Sequence, residues 1–239
     1  MLLFIVSLII LKIFKMKQKV FIITGANRGL GEAFVDILMK RDDSFVISIS
    51  RSLSEQQQNY SPENFFFLET DLSKDGLKEK ITVLKNLIKY EAVYFINNAS
   101  IIEPIVKIAD LNEVALDKII SVNIKSTVVI TKFLLRNFKT NPLIFVNISS
   151  GAANKAISNW SLYCSSKAFI QMFFNVAESE YKQHLFFNID PGVMNTDMQK
   201  SLRASNFPDV ENFKELEKGG HLKLPIDVAE EILKKINSI

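Results

Sequence analysis

Cysteine and histidine are scarce in this chain of 239 residues, which contains one cysteine and two histidines. A single cysteine, Cys164, argues against disulfide bonds and suits a protein of the reducing cytosol. His184 and His221 have no Cys, His or Asp partner at the spacing of metal ligands, so the sequence predicts no metal site. The net charge of +3 comes without a basic cluster and gives no electrostatic footprint for nucleic acid.

Linkers, internal repeats and long low-complexity tracts are missing as well. Apolar runs typical of strands alternate with stretches of helical spacing, and 48% of the residues are hydrophobic, enough for one sizeable α/β core. The polar stretch from Ser52 to Asn64 is interpreted as a surface loop. The sequence therefore predicts a single domain.

An apolar segment, Met1 to Phe14, precedes the predicted fold. It is shorter than the roughly 20 residues of a membrane helix, contains Lys12, and has its positive charges after the apolar run, unlike a signal peptide. One interpretation is a signal anchor or a partner-binding helix. The second is that the segment results from an upstream start codon and that Met16 is the biological start. We favour the second interpretation. Residues 1–15 then form an extension, residues 16–239 form a cytoplasmic domain, and membrane association is not expected.

A glycine-punctuated loop, TGANRGLG, occupies residues 24–31. It follows the apolar run Lys19 to Thr24, which predicts a strand, and precedes helical spacing from Leu30 through Phe34 to Leu38. Strand, glycine turn and helix together present backbone N–H groups and a positive helix end to a pyrophosphate. Glycines also simply make turns, so the loop alone is a weak signal.

Arg51 directly follows the apolar run Phe45 to Ser50, the predicted second strand. Sites for NAD usually carry an acidic residue there, about 20 residues past the glycines, to bind the ribose 2′-hydroxyl. Arg51, together with Arg28 of the glycine loop, could instead bind a 2′-phosphate through charge-assisted hydrogen bonds. The alternative is that both are ordinary surface charges. The position of Arg51 favours NADP over NAD.

Tyr163 and Lys167 are four residues apart, so on a helix they share a face. A neighbouring ammonium is expected to lower the pKa of the phenol from about 10, towards the pH at which it must exchange a proton. Ser150 follows the apolar run Leu143 to Ile148, and a hydroxyl at the carboxyl end of a buried parallel strand points into the ligand crevice. A solvated lysine on an amphipathic helix would give the same pair. Its combination with Ser150 and the glycine loop favours a catalytic site.

These motifs resemble those of the short-chain dehydrogenase/reductase family, and the resemblance runs from about Lys19 to about Glu231. It implies an α/β fold with a single Rossmann-type, doubly wound parallel sheet and helices on both faces. It implies a catalytic tetrad of Asn123, Ser150, Tyr163 and Lys167. The cofactor-binding residues that it implies are Gly25, Asn27, Arg28, Gly29, Leu30, Gly31, Ser50, Arg51, Asp71, Leu72, Asn98, Ala99, Ser100, Tyr163, Lys167, Pro191, Gly192, Val193 and Thr196.

Within the family, four segments look most like sepiapterin reductase and bacterial benzil reductase. They are ISISR at 47–51, NISSGAA at 147–153, WSLYCSSKA at 160–168 and PGVMNTDMQ at 191–199. Those enzymes are NADPH-dependent carbonyl reductases. The resemblance implies a small carbonyl substrate, with Tyr163 as the acid and Asn123 positioning a water that refills Lys167. We expect the substrate to meet Ser150, Tyr163, Trp160, Met194 and Met198. Ordinary core packing is the alternative for Trp160 and the methionines.

Two other functions are compatible with the sequence. An NAD(P)-dependent alcohol dehydrogenase would use the same residues in the oxidative direction, and Arg51 argues against it. A weakly active, NADP-binding regulatory or membrane-tethered protein would fit the apolar N-terminus, and the intact tetrad argues against it.

Two departures from the family pattern stand out. Ser100 occupies a position where the family usually has glycine, and we expect little effect from so small a side chain. The family generally adds a seventh strand after the helix that is predicted here for Pro225 to Ile236, and no such strand can be assigned. In sepiapterin reductases this tail carries an acidic residue that anchors the pterin. The strand at Leu185 to Ile189 should then have an uncovered edge, and such edges favour pairing, so we expect a homodimer.

Overall fold

The computed structural model describes residues 19–87, 92–140 and 142–237. Its strands are β1 (Lys19–Thr24), β2 (Ser44–Ser50), β3 (Phe65–Glu69), β4 (Ala92–Asn97), β5 (Leu143–Ile148) and β6 (Leu185–Ile189). They form one parallel sheet in the order β3-β2-β1-β4-β5-β6. The strand order reverses between β1 and β4, and at such a switch point the carboxyl ends of the strands open a crevice.

Helices flank the sheet on both faces. In chain order they are α1 (Gly29–Leu38), α2 (Leu77–Lys80), α3 (Leu84–Leu87), α4 (Glu113–Ile119), α5 (Ser126–Asn137), α6 (Ser161–Glu180), α7 (Asp197–Ala204), α8 (Val210–Lys218) and α9 (Pro225–Asn237). A π-helical segment, Ile120–Lys125, joins α4 to α5 without a break. A 3₁₀ turn, Gln57–Asn59, lies in the loop after β2.

Alternating side chains of β1 enter two separate cores. Val20 and Ile22 belong to the apolar cluster that includes residues of α5 and α6, whereas Phe21 and Ile23 belong to the cluster with α1 and α9. All four are completely buried, and burial of an apolar side chain of this size stabilises the fold by about 1.5–3 kcal/mol. The sheet is therefore covered on both faces, as the sequence predicts.

Three asparagines form a ladder across the last strands of the sheet. Asn97, Asn147 and Asn188 stand opposite one another in the register of β4, β5 and β6. Asn97 donates to Asn147 at 3.0 Å, and Asn147 donates to Asn188 at 2.8 Å. Thr127 of α5 donates to Asn97 at 2.7 Å. Every donor in this series finds an acceptor. Because hydrogen bonds are directional, they fix the relative positions of strands whose other side chains are apolar.

The outer strand β6 has β5 as its neighbour, and none of the described residues adds a strand beyond it. Leu185 at the start of β6 is 41% exposed, an apolar side chain at that edge. The apolar extension at residues 1–15 lies outside the described residues. Within the described ranges, no helix has the length and apolar character that crossing a membrane requires.

Candidate active site

The glycine loop adopts backbone conformations that glycine allows. Gly25 and Gly29 have φ angles of +63° and +57°, in the left-handed region that side chains disfavour. A Cβ on Gly31 would lie 2.1 Å from the carbonyl oxygen of Gly25, so a larger residue there could not fit without moving the backbone. The loop thus packs closely on the start of α1, whose free N–H groups face the carboxyl end of the sheet.

Side chains from neighbouring strands hold this loop. The hydroxyl of Thr24 accepts from the backbone N–H groups of Asn98 and Ala99, both at 3.1 Å. The side-chain amide of Asn98 donates to the carbonyl oxygens of Thr24 and Gly25, both at 3.0 Å. The motif after β4 therefore positions the glycine loop by direct hydrogen bonds.

Both arginines line the crevice, Arg51 at the end of β2 and Arg28 in the glycine loop. Arg51 follows β2 and is exposed, and Arg28 lies 3.7 Å from the carboxylate of Asp197 at the start of α7, with both side chains largely exposed. The pKa of Asp71 is lowered, first by hydrogen bonds from the hydroxyl and N–H of Ser73, and to a smaller degree by the charge of Arg51. Arg51 and Asp71 are therefore near neighbours.

Ser150, Tyr163 and Lys167 meet where β5 ends. Tyr163 and Lys167 lie on one face of α6, and the Lys167 ammonium is 5.6 Å from the centre of the Tyr163 ring. It donates to the carbonyl oxygen of Ile148, the last residue of β5, at 2.8 Å. Both side chains are buried, at 6% and 7% exposure. The spacing along the sequence therefore does place phenol, ammonium and serine hydroxyl in one group.

The pKa of Tyr163 differs from the expectation. Burial raises it to about 12, a hydrogen bond with Ser150 opposes this, and the charge of Asp190 adds to the rise. Burial also lowers the pKa of Lys167 to about 8. The negative charge of Asp190 opposes this decrease. The expected decrease for Tyr163 is thus wrong for the protein alone, because removing the phenol from water raises its pKa by more than the hydrogen bond with Ser150 lowers it.

Asn123 lies in the π-helical segment, on the inner side of the site. Its side-chain oxygen accepts from the N–H of Ile101 at 2.9 Å. Its amide group donates to the Ile101 carbonyl oxygen at 2.9 Å and to the Ser166 hydroxyl at 3.0 Å. The side chain thus joins the loop after β4 to the helix that carries Lys167, and it holds these elements in place.

A single cavity of about 600 Å³ connects these groups. Of the residues predicted from the sequence, those in its wall are Gly25, Asn27, Arg28, Gly29, Leu30, Ser50, Arg51, Asp71, Leu72, Asn98, Ala99, Ser100, Ser150, Trp160, Tyr163, Lys167, Pro191, Gly192, Val193, Met194, Thr196 and Met198. The two others, Gly31 and Asn123, lie behind the wall, against Gly25 and Ile101. The predicted residues therefore form one connected site.

The opposite end of the cavity is apolar. The Trp160 ring lies 5.5 Å from the ring centres of both Phe207 and Phe213, and 5.9 Å from that of Tyr163. Met198 packs on this cluster. Trp160 is 4% exposed and still lines the cavity, so core packing and wall formation apply to it together.

Helices α7 and α8 carry much of this apolar wall, and we call them the lid. Arg203 of α7 and Glu217 of α8 form an ion pair at 2.7 Å in which the arginine is almost buried. A backbone bridge between Met194 and Lys223 closes the lid onto the chain that leads to α9. The order and packing of these two short helices could not be inferred from the sequence, which shows only polar residues with scattered apolar ones.

Two further residues near the site were missed by the sequence analysis. Asp190 follows β6, accepts from the N–H of Gly192 at 3.0 Å, and lines the cavity beside Ser150. The sequence signal that could have identified Asp190 is its position directly before Pro191, at the start of a predicted cofactor motif. Gln57 lies in the stretch interpreted as a surface loop, yet it is 1% exposed and bonds to the glycine loop. Nothing in the run SEQQQN distinguishes it from the glutamines beside it.

The cavity has features that suit a dinucleotide. The close approach of Gly31 to the Gly25 backbone lets the start of α1 pack directly behind the glycine loop, so that the helix N-terminus reaches the cavity wall. The hydroxyls of Thr70 and Ser100, two wall residues, are buried without a hydrogen-bond partner among the described residues. By contrast, no cluster of three or more His, Cys, Asp or Glu side chains that could bind a metal occurs in residues 19–87, 92–140 and 142–237.

Comparison with known proteins decides the family. The sequence model of the short chain dehydrogenase family matches residues 19–206, most of the chain. The chain belongs to the short-chain dehydrogenase family. This short-chain dehydrogenase is an oxidoreductase that acts on small molecules, and the family binds a nicotinamide cofactor, NAD or NADP.

Its relatives include reductases of carbonyl compounds. An uncharacterised oxidoreductase of Schizosaccharomyces pombe is 33% identical, over 89% of this chain and 88% of its own. The benzil reductase of Bacillus subtilis, which forms (S)-benzoin, is 28% identical, over 90% and 92%. The sepiapterin reductase of Bos taurus is 29% identical, over 84% and 83%. The crystal structure of a short-chain dehydrogenase/reductase from Saccharomyces cerevisiae superposes with a TM-score of 0.78 at 27% identity, covering 87% and 86%.

Proposed function

We propose that this short-chain dehydrogenase is an NADPH-dependent carbonyl reductase that converts a ketone or 1,2-diketone to an alcohol. The observation that carries the proposal is the arrangement of the cavity wall. Arg51 follows β2 and Ser150 follows β5, with β1 and β4 between them in the sheet, and the Trp160 ring lies 5.9 Å from the Tyr163 ring. The benzil and sepiapterin reductases among the relatives support a carbonyl substrate.

Each residue of the proposed tetrad has a separate task. When bound, NADPH supplies the hydride. Tyr163 donates its hydroxyl proton to the substrate oxygen, and Ser150 donates a hydrogen bond that stabilises the negative charge on that oxygen. The charged Lys167 favours loss of the Tyr163 proton and, by the family resemblance, holds the nicotinamide ribose. Asn123 keeps the helix of Lys167 aligned with the loop after β4.

The cofactor residues divide into groups by their place in the cavity. We assign the pyrophosphate to the glycine loop, because a helix N-terminus and free N–H groups attract anions there. Arg51, with Arg28, binds the 2′-phosphate. Asp71 contacts the adenine, and the segment from Pro191 to Thr196 contacts the nicotinamide. The Thr196 methyl group lies next to Gly29, 3.4 Å from the place of a Cβ on that glycine, so this segment adjoins the glycine loop.

Arg51 is the feature that favours reduction over alcohol oxidation, because a guanidinium at the end of β2 suits the 2′-phosphate of NADPH. Burial raises the pKa of Tyr163, so the phenol is protonated at neutral pH and can donate its proton to a carbonyl oxygen. An alcohol dehydrogenase would use the same residues in the reverse direction, so Arg51, and not Tyr163, carries the choice.

A screen of NADPH consumption tests the proposed function. The substrates are benzil, other 1,2-diketones, sepiapterin and simple aldehydes, each with NADPH and with NADH. We expect turnover of at least one diketone with NADPH, and much slower turnover with NADH. An enzyme that consumed neither cofactor with any of these, or that preferred NADH, would contradict the proposal.

We further propose that residues 16–239 form the working unit, as a cytoplasmic homodimer. The fold of the described residues begins at Lys19, and the exposed edge of β6 favours association. A chain beginning at Met16 should be soluble, bind NADPH and sediment as a dimer with full activity. A soluble, active monomer would contradict the dimer, and an inactive product would assign a role to residues 1–15.

A further inference from the structure

The loop between β2 and β3 is polar and mostly exposed, with one exception. Within residues 51–64, all of which the structure describes, Gln57 alone is fully buried. Its amide nitrogen donates to the carbonyl oxygen of Ala26, the residue after Gly25 in the glycine loop, at 2.7 Å. This distance is at the short end of the range for an N–H···O bond. The bond joins residues 31 positions apart in the chain.

The other end of the same amide faces its own loop. The side-chain oxygen of Gln57 accepts from the N–H of Ser54, and the Gln57 N–H donates to the Ser54 hydroxyl, both as longer contacts of 3.4 Å. One side chain thus bonds to both loops. Because Ala26 has a buried carbonyl oxygen, loss of this donor would leave a polar atom without compensation.

A second bond links the same two loops closer to the cavity. The Asn27 amide donates to the Ser52 hydroxyl at 3.0 Å. Arg51 follows β2 in the chain and precedes both Ser52 and Gln57. It lines the cavity together with Arg28. The two arginines that would contact a 2′-phosphate therefore belong to separate loops, and Gln57 fixes the position of one loop relative to the other from behind the wall.

We propose that Gln57 is a positioning residue that determines specificity for NADP(H) over NAD(H), by joining the glycine loop and the Arg51 loop into one preformed phosphate site. The inference rests on the proposed preference for NADPH. A 2′-phosphate contacts both loops at once, so its binding requires that their relative position be fixed. NAD(H) has a hydroxyl there, and its pyrophosphate needs only the glycine loop. Loops that are not joined must be ordered on binding, and that ordering reduces affinity.

The chain offers a matched control in the same loop. The Tyr60 hydroxyl donates to the Asp36 carboxylate at 2.9 Å, which ties the loop to α1 and leaves the glycine loop untouched. Replacement of Tyr60 by Phe removes the bond to Asp36, and replacement of Gln57 by Met removes the bond to Ala26 together with the longer contact from the Ser54 N–H. The two variants therefore separate a general loss of stability from a specific effect on the phosphate site.

The experiment measures dissociation constants for NADPH and NADH by calorimetric titration of the protein without substrate. Wild type, Gln57→Met, Gln57→Ala and Tyr60→Phe are compared, with their melting temperatures. We expect both Gln57 variants to bind NADPH about five- to tenfold more weakly, the factor that one lost hydrogen bond produces, with NADH affected less than about twofold. Tyr60→Phe should leave the ratio of the two constants unchanged.

Gln57→Ala also covers the case in which Gln57→Met folds poorly, because a smaller side chain admits water to the Ala26 carbonyl. Hydrogen exchange of the amides of residues 51–57, without cofactor, should be faster in this variant than in wild type. Equal loss of NADPH and NADH affinity, or unchanged exchange, would overturn the role of Gln57. A wild type that binds NADH as tightly as NADPH would instead overturn the proposed cofactor, and this is known before any variant is compared.

Discussion

The glycine-loop end of the cavity and the Trp160 end are stabilised by different interactions. Around the glycine loop, Gln57 and Asn98 donate to backbone carbonyl oxygens, Thr24 accepts from the Asn98 N–H, and Asn27 donates to the Ser52 hydroxyl, all at distances of 2.7–3.1 Å. Such bonds are directional, and each holds one atom in one place. This end of the site is therefore already formed in the protein without ligand.

The Trp160 end depends on apolar packing. Trp160, Phe207 and Phe213 pack ring against ring, and the lid helices add one ion pair. Buried polar atoms without partners among the described residues are concentrated here, on Trp160, Ser161, Gln199 and Arg203. Apolar contact has no fixed direction, so this end can adjust to different substrates while the cofactor end stays constant.

The largest effect is expected at Tyr163, on the wall that the two ends share. Tyr163→Phe removes the acid and keeps the ring, so kcat should fall by about 10²–10⁴ while the dissociation constant for NADPH stays nearly unchanged. Steady-state kinetics and NADPH titration measure both. Tyr181→Phe, beyond the end of α6, serves as a control and should retain full activity. Retention of more than a third of the wild-type kcat by Tyr163→Phe would remove the proposed acid.

A smaller, selective effect is expected at the cofactor end. Arg51→Ala should weaken NADPH by about 10- to 100-fold, the range of a lost charge-assisted hydrogen bond, and NADH much less. Fluorescence titration of both cofactors gives the comparison, with the exposed Lys40→Ala as a control for net charge. Equal weakening of the two cofactors would make Arg51 a general surface charge and would favour the NAD-linked dehydrogenase.

At the apolar end, a substitution should change the affinity for the substrate and leave the affinity for the cofactor unchanged. Trp160→Phe keeps an aromatic side chain and reduces its contact area, so KM for benzil should rise about fivefold, equivalent to about 1 kcal/mol of lost burial. The dissociation constant for NADPH should stay within about twofold. Matched changes in both constants would show that the two ends of the cavity are coupled and are not independent.

The smallest effect at neutral pH is expected from Asp190→Asn. Lys167 has a pKa of about 8, lowered by burial and partly restored by the Asp190 charge, and Tyr163 is the other ionisable group beside it. Activity that needs charged Lys167 decreases as the pH rises through this pKa. Without the carboxylate the pKa falls further, so the alkaline limb of kcat/KM should move to lower pH. An unmoved limb would exclude an electrostatic role for Asp190.

The sequence predicts those features that depend on one residue type at one place. The sequence directly shows the glycines that adopt positive φ, and it shows a tyrosine and a lysine one helical turn apart. The structure brings these residues to one cavity. Gln57 could not be found, because its role depends on which loop lies opposite it. The direction of the Tyr163 pKa shift could not be found either, since it depends on how completely packed side chains such as Trp160 and Leu202 remove the phenol from water.

The lid has a consequence for the engineering of this enzyme. Residues such as Met198, Leu202 and Phe213 line the cavity from two short helices that follow α6 in the chain. A library that varies such positions samples new pocket shapes without replacing Tyr163 or Lys167. Because Leu202 packs in the same buried cluster as Tyr163, directed evolution for a new ketone should begin at the partly buried Met198 and Phe213.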